Sequence, residues 1–96
     1  MSTSSTVAYV TSDTTTSSST LAYLCDSTSN NITMSLDDIS STDGRYYNLT
    51  RVDQGFNSVS IIPFSGQLID GNSSVGLDIG DSLFIISSGG NWYTLN

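Results

Sequence analysis

The stretch that most constrains the fold is Asp81-Ser82-Leu83-Phe84-Ile85-Ile86-Ser87-Ser88-Gly89-Gly90-Asn91-Trp92-Tyr93-Thr94-Leu95. An apolar run meets a Ser-Ser-Gly-Gly-Asn turn and continues into an aromatic run, which predicts a β-hairpin. Glycine tolerates positive φ and Asn enters that region more readily than other residues, so Gly89, Gly90 and Asn91 reverse the chain with little strain. On the first strand Leu83 and Ile85 point to one side, Phe84 and Ile86 to the other. Both faces are apolar. Such a strand calls for cover twice, by a second sheet on one side and by something else, such as another subunit, on the other. Leu83, Phe84, Ile85, Ile86, Trp92 and Tyr93 are therefore the candidate core and interface residues.

The remainder of the chain agrees with a β fold. Every acid is Asp, neither Glu nor Lys occurs, and Ser and Thr make up about a third of the residues. Helical patterns rich in Glu, Lys and Ala are absent, while Thr, Val, Ile, Tyr and Phe favour pleated, half-buried strands. A length of 96 residues gives room for one modest core. The expectation is a small antiparallel β-sandwich or barrel-like domain of about seven or eight short strands. It occupies residues 7–96, after a flexible arm at residues 1–6.

In chain order, Val7 to Val10 predicts a first strand, and the polar run Thr11 to Ser19 a connection. Thr20 to Cys25 follows, with Leu21, Tyr23 and Cys25 on one face. Asn31 to Leu36 alternates cleanly, with Ile32, Met34 and Leu36 inward. Asp37 to Asp43 is a polar connection that allows one helical turn, capped by Asp37 and anchored by Ile39. Arg45 to Val52 and Ser58 to Ile62 are further strands, the second stopped by Pro63, which has no backbone donor. Leu68-Ile69 and Val75 to Leu77 are shorter pieces flanking the Asp70-Gly71-Asn72 turn.

The formal charge of −7 arises from nine Asp against Arg45 and Arg51. That balance repels phosphate backbones and anionic lipid heads, so neither nucleic acid nor membrane is an expected partner. No apolar run approaches membrane-spanning length, and the polar start has no basic segment, so neither an anchor nor a signal peptide is expected. The single Cys25 has no internal partner for a disulfide and reads as a buried, inert thiol. With no His, a Ser-His-Asp triad, a Cys-His dyad and a Cys/His zinc site are all excluded. Paired Asp carboxylates leave glycosidase chemistry formally open, but most Asp residues fall at turns, where they bond nearby backbone amides. No catalytic residue, cofactor site or metal site is therefore expected.

Two binding motifs carry alternatives. Asp70-Gly71-Asn72-Ser73-Ser74 has the look of a calcium loop, but Val75 stands where an EF-hand needs glycine and the closing Glu is missing. A looser calcium site of Asp carboxylates and carbonyls is the residual option. Tyr46, Tyr47, Trp92 and Tyr93 suit a sugar-stacking platform, although core or interface positions suit such side chains better. Asn31-Ile32-Thr33, Asn48-Leu49-Thr50 and Asn72-Ser73-Ser74 match the glycosylation sequon, as chance allows in so Ser/Thr-rich a chain.

Four stretches together, Gly44 to Asp53, Ser58 to Pro63, Leu68 to Gly71 and Gly90 to Tyr93, carry a resemblance. They resemble a small all-β domain of structural proteins in tailed phages and other large viruses, where a "GR-x-Y" strand precedes a "TI-DG" turn and a final hairpin ends in "NWY". The resemblance spans roughly Thr20 to Leu95. Where that family often carries paired lysines at the end of the fourth strand, this chain has Thr50 and Arg51. The resemblance implies a non-enzymatic virion component. The expected role is a capsid decoration or cement protein on the outer virion surface, self-associating as a trimer or other homo-oligomer and contacting the major capsid protein or other virion proteins. A tail-fibre, tail-tip or spike component is the alternative, and a free carbohydrate-binding module the next.

Overall fold

Short alternating runs of β-branched, aromatic and polar residues become nine strands over residues 7–95, the part of the chain that the computed structural model describes. The strands are β1 (Val7–Val10), β2 (Thr14–Thr15), β3 (Ala22–Cys25), β4 (Ile32–Ser35), β5 (Tyr46–Arg51), β6 (Val59–Ile62), β7 (Val75–Leu77), β8 (Ser82–Ser88) and β9 (Asn91–Thr94). No helix occurs among the described residues, in keeping with the all-β expectation. The arm expected at residues 1–6 lies outside them. The short strand β2 falls in the run read as a polar connection. Its two threonines favour strand geometry but carry no apolar alternation to reveal it.

The strands form two sheets, ordered β1-β3-β5-β8-β9 and β2-β4-β6-β7. From β1 to β6 the chain changes sheet at every strand. Neighbours within a sheet are then two strands apart in sequence and run the same way, so β1/β3, β3/β5, β2/β4 and β4/β6 are parallel pairs. Only the later pairs β5/β8, β6/β7 and β8/β9 are antiparallel. The sheets are mixed, which corrects the expected antiparallel arrangement. Parallel neighbours need a long crossover, usually a helix. Here a strand of the other sheet serves as the crossover.

Inward side chains of both sheets make one buried cluster. Tyr23, Cys25, Tyr47, Leu49, Leu83 and Ile85 come from the five-stranded sheet, and Ile32, Met34, Val59, Ile61 and Leu77 from the other. Leu21, expected beside Tyr23 and Cys25, precedes β3 and is exposed. Ile39 is fully buried between strands, as an anchor should be, but its turn is not helical. The Thr42 amide bonds the Ile39 carbonyl at 3.1 Å, and Asp38, in place of Asp37, accepts from the Ser40 amide at 2.9 Å.

Two tight turns set the register of the last third. At Asp70-Gly71 both central residues have positive φ (48° and 83°), and Ile69 and Asn72 exchange both backbone hydrogen bonds at 2.8 Å. At Gly89-Gly90 φ is 61° and 83°, and Ser88 pairs with Asn91. This is the two-residue hairpin geometry that matches strand twist. Asn91, expected within the turn, is the first residue of β9, and its Oδ1 accepts the Leu68 amide at 3.1 Å.

Candidate functional site

The six residues singled out in the final hairpin divide by parity. Leu83, Ile85 and Trp92 are buried, whereas Phe84 and Ile86 are half-buried and Tyr93 is exposed on the outer face of the five-stranded sheet. Tyr46 joins them there, opposite Ile86 in register, with its ring stacked on Phe84 at 6.3 Å between centroids. Tyr93 lies opposite Ile86 on the other flank. Across β3 and β1 the same face continues through Ala22 and Leu24 to Val7 and Tyr9. Asn48, Thr50, Ser82 and Ser88 share this face, and no outward strand position of either sheet carries a charge. The outer face of the four-stranded sheet differs, presenting Thr15, Thr33, Ser35, Ser60 and Gly76, with Ile62 as its large apolar side chain.

The proposed sugar platform is split by this geometry. Tyr47 and Trp92 are core, 5.5 Å apart between ring centroids, while Tyr46 and Tyr93 look outward. The Trp92 Nε1 has no hydrogen-bond partner among the described residues. Such an atom is costly to bury. Tyr47 donates its hydroxyl to Asp37 at 2.6 Å, and burial pushes its pKa up to about 12. Asp37 also accepts from Thr16 at 2.6 Å and pairs with Arg45.

Arg51 is the residue that the sequence reading missed. It shares the inward parity of Tyr47 and Leu49 and is buried at the end of β5. Its guanidinium forks onto both oxygens of Asp53, at 3.1 and 3.2 Å, and bonds the carbonyls of Leu77, Gly55 and Asn57. Asp53 further accepts from the Ser27 amide and hydroxyl and from the Gly55 amide, each at 2.9 Å. Arg51, then the amides and hydroxyl of Ser27 and Gly55, hold the Asp53 carboxyl far below the usual carboxylate range. The two cations of the chain are thus engaged internally.

The other acids act on backbone turns. Asp13 accepts the Thr33 amide, Asp43 the Gly89 amide, Asp81 the Asp78 amide and Asp70 the amide and hydroxyl of Thr94. Asp70, the residual calcium candidate, is occupied in fastening the turn to β9. Among the described residues no three potential metal-ligating side chains cluster, and no helix is long and apolar enough to cross a membrane. Cys25 is buried, its thiol pushed up to about 11 by burial and by the nearby Asp53 charge. Comparison with models of protein families, with curated protein sequences and with solved structures gives no significant match to this chain.

Proposed function

We propose that the chain is a non-enzymatic structural protein of a virus particle, a decoration or cement protein on the outer surface of the shell. The observation that carries this reading is the contrast between its two outer faces. One is Ser/Thr-rich and suited to water, while the other gathers the aliphatic and aromatic side chains of Tyr46, Phe84, Ile86 and Tyr93 beside the polar Asn48, Thr50, Ser82 and Ser88, and neither carries a charge at an outward strand position in a chain of net charge −7. An uncharged apolar face in a strongly acidic molecule is where a second acidic copy can approach without repulsion. Self-association through Tyr46, Phe84, Ile86 and Tyr93 follows, as a trimer or another symmetric homo-oligomer. In this reading the fold is a small sandwich, one sheet turned toward neighbouring copies and shell and one toward solvent.

The resemblance to virion-surface domains supplies the particle, and the acidic surface favours a position away from packaged genome. Many weak contacts acting together strengthen a shell without tight binding by any one copy. Antibody labelling of intact, genome-filled particles tests the location. Regular labelling over the shell is expected. Labelling at one vertex or on the tail would replace this reading with the fibre or spike alternative, and labelling only after the shell is opened would place the protein inside.

A further inference from the structure

At the far edge of the four-stranded sheet, strands β6 and β7 border a groove of about 570 Å³. Its walls are Phe56 and Ile79, and Ser58, Ser60 and Asp78 line it. Phe56 has no cover at all, at 106% relative exposure. A large aromatic side chain wholly in water usually belongs to a mobile loop. Here its backbone is fixed on both sides. The carbonyls of Gly55 and Asn57 accept from the buried Arg51, the Gly55 amide bonds Asp53, and the Asn57 side-chain amide bonds the Ser27 and Thr28 carbonyls. The backbone that carries the ring is held in place, so a ligand that stacks on it need not order the loop.

The polar groups beside it are open as well. Of the nine Asp side chains, eight accept a hydrogen bond from this chain among the described residues; Asp78 does not. No hydrogen bond within the described chain engages the hydroxyls of Ser58 and Ser60 either. Gly76 leaves the outward side of β7 bare, and a Cβ built there meets nothing closer than the Val59 carbonyl at 3.9 Å. An exposed ring face, an apolar wall, two hydroxyls and a carboxylate around an open floor match a ligand with both C–H faces and hydroxyl groups. The lone cation of the groove, Arg51, is consumed by Asp53 and three carbonyls, while Asp78 repels anions. That excludes phosphates, sulfates and acidic sugars.

We propose that this groove binds a neutral saccharide, with one sugar ring on Phe56 and its hydroxyls on Asp78, Ser58 and Ser60. The groove volume lies in the range of small-ligand sites. The site is independent of the virion reading and of the Tyr46–Tyr93 face on the other sheet.

The experiment is backbone-amide NMR titration of the whole chain with maltotriose, cellotriose and di-N-acetylchitobiose, each to about 10 mM, a range that detects millimolar affinity. At least one should shift the amides of residues 55–60 and 76–79. Phe56→Ala, which removes only exposed atoms, should weaken that binding at least about tenfold, as loss of an anchoring aromatic does. Gly76→Val should abolish it by filling the floor, with the rest of the spectrum unchanged. No shift with any of the three sugars overturns the proposal. So do shifts confined to Tyr46 and Tyr93, or binding that survives both substitutions. Equal binding of a neutral peptide at the β7 edge would identify a strand-pairing site instead and overturn it too.

Discussion

Replacing Arg51 with Met should damage this protein more than any surface change. Met keeps the aliphatic stem of the side chain but removes every donor. Arg51 and Asp53 have side chains only 6% and 3% exposed, so neither charge is rescued by water in the folded state. The substitution leaves the Asp53 carboxylate without its cation and the carbonyls of Leu77, Gly55 and Asn57 without a shared donor. Breaking a buried pair from one side costs about 3–5 kcal/mol. A chain of 96 residues has roughly 5–14 kcal/mol in total, so about a fifth of its stability or more is at stake. At about 4–8 °C per kcal/mol for a domain of this size, Tm should fall by at least about 12 °C. Urea unfolding followed by the fluorescence of the single, fully buried Trp92 measures the loss directly. Asp53→Asn in the Arg51→Met background should cost less than the two single losses added together, because the residual damage is an uncompensated charge. An Arg51→Met protein within about 1 kcal/mol of wild type would refute the argument that this ion pair fixes the loops around Phe56.

Trp92→Ala should cost about 3–5 kcal/mol, whereas Trp92→Phe should cost far less, because it also removes the unpartnered Nε1; thermal melts by circular dichroism compare the two. Acid should destabilise the fold. Asp53, Asp26 and Asp38 all have pKa values held below the ordinary 3.8, so the stability they add is present above that pH and is lost as pH falls below it. Asp53→Asn should flatten that decline in urea titrations across pH. Alkali acts with the opposite sign. Cys25, raised from 9.0 to about 11, adds stability below pH 9 that disappears as pH rises through 11, and Cys25→Ala should remove that part of the slope.

Much of the fold was legible because one face of each strand is buried. The alternation of Ile32, Met34 and Leu36 read correctly as inward, and all three are buried. The same period placed Tyr47 and Leu49 in the core and carried Arg51 in with them. Parity alone offered the signal for that buried cation, but a basic residue at a strand end is ordinarily solvated. The pairing of strands was not legible. Local patterning specifies which side of a strand is buried but not which sheet it joins, so the alternation of the chain between two sheets left no mark in the sequence. Phe56 was invisible for another reason. It lies in the loop between β5 and β6, where no apolar alternation assigns it a side, and only the structure shows a loop fastened by Arg51 and Asp53 with the ring exposed.

The two apolar faces of β8 were legible in the sequence. Leu83 and Ile85 are covered by the opposing sheet, and Phe84 and Ile86 lie half-buried on the outer face beside Tyr46 and Tyr93. Sedimentation equilibrium of the wild type beside Phe84→Asp and Ile86→Asp tests most directly whether that face is a contact between copies. The wild type should be self-associated at tens of micromolar. Each variant should sediment as a folded monomer, because an added carboxylate on this face meets its own copy across the contact. A wild type that remains monomeric over that range, or variants that associate as well as the wild type, would contradict it.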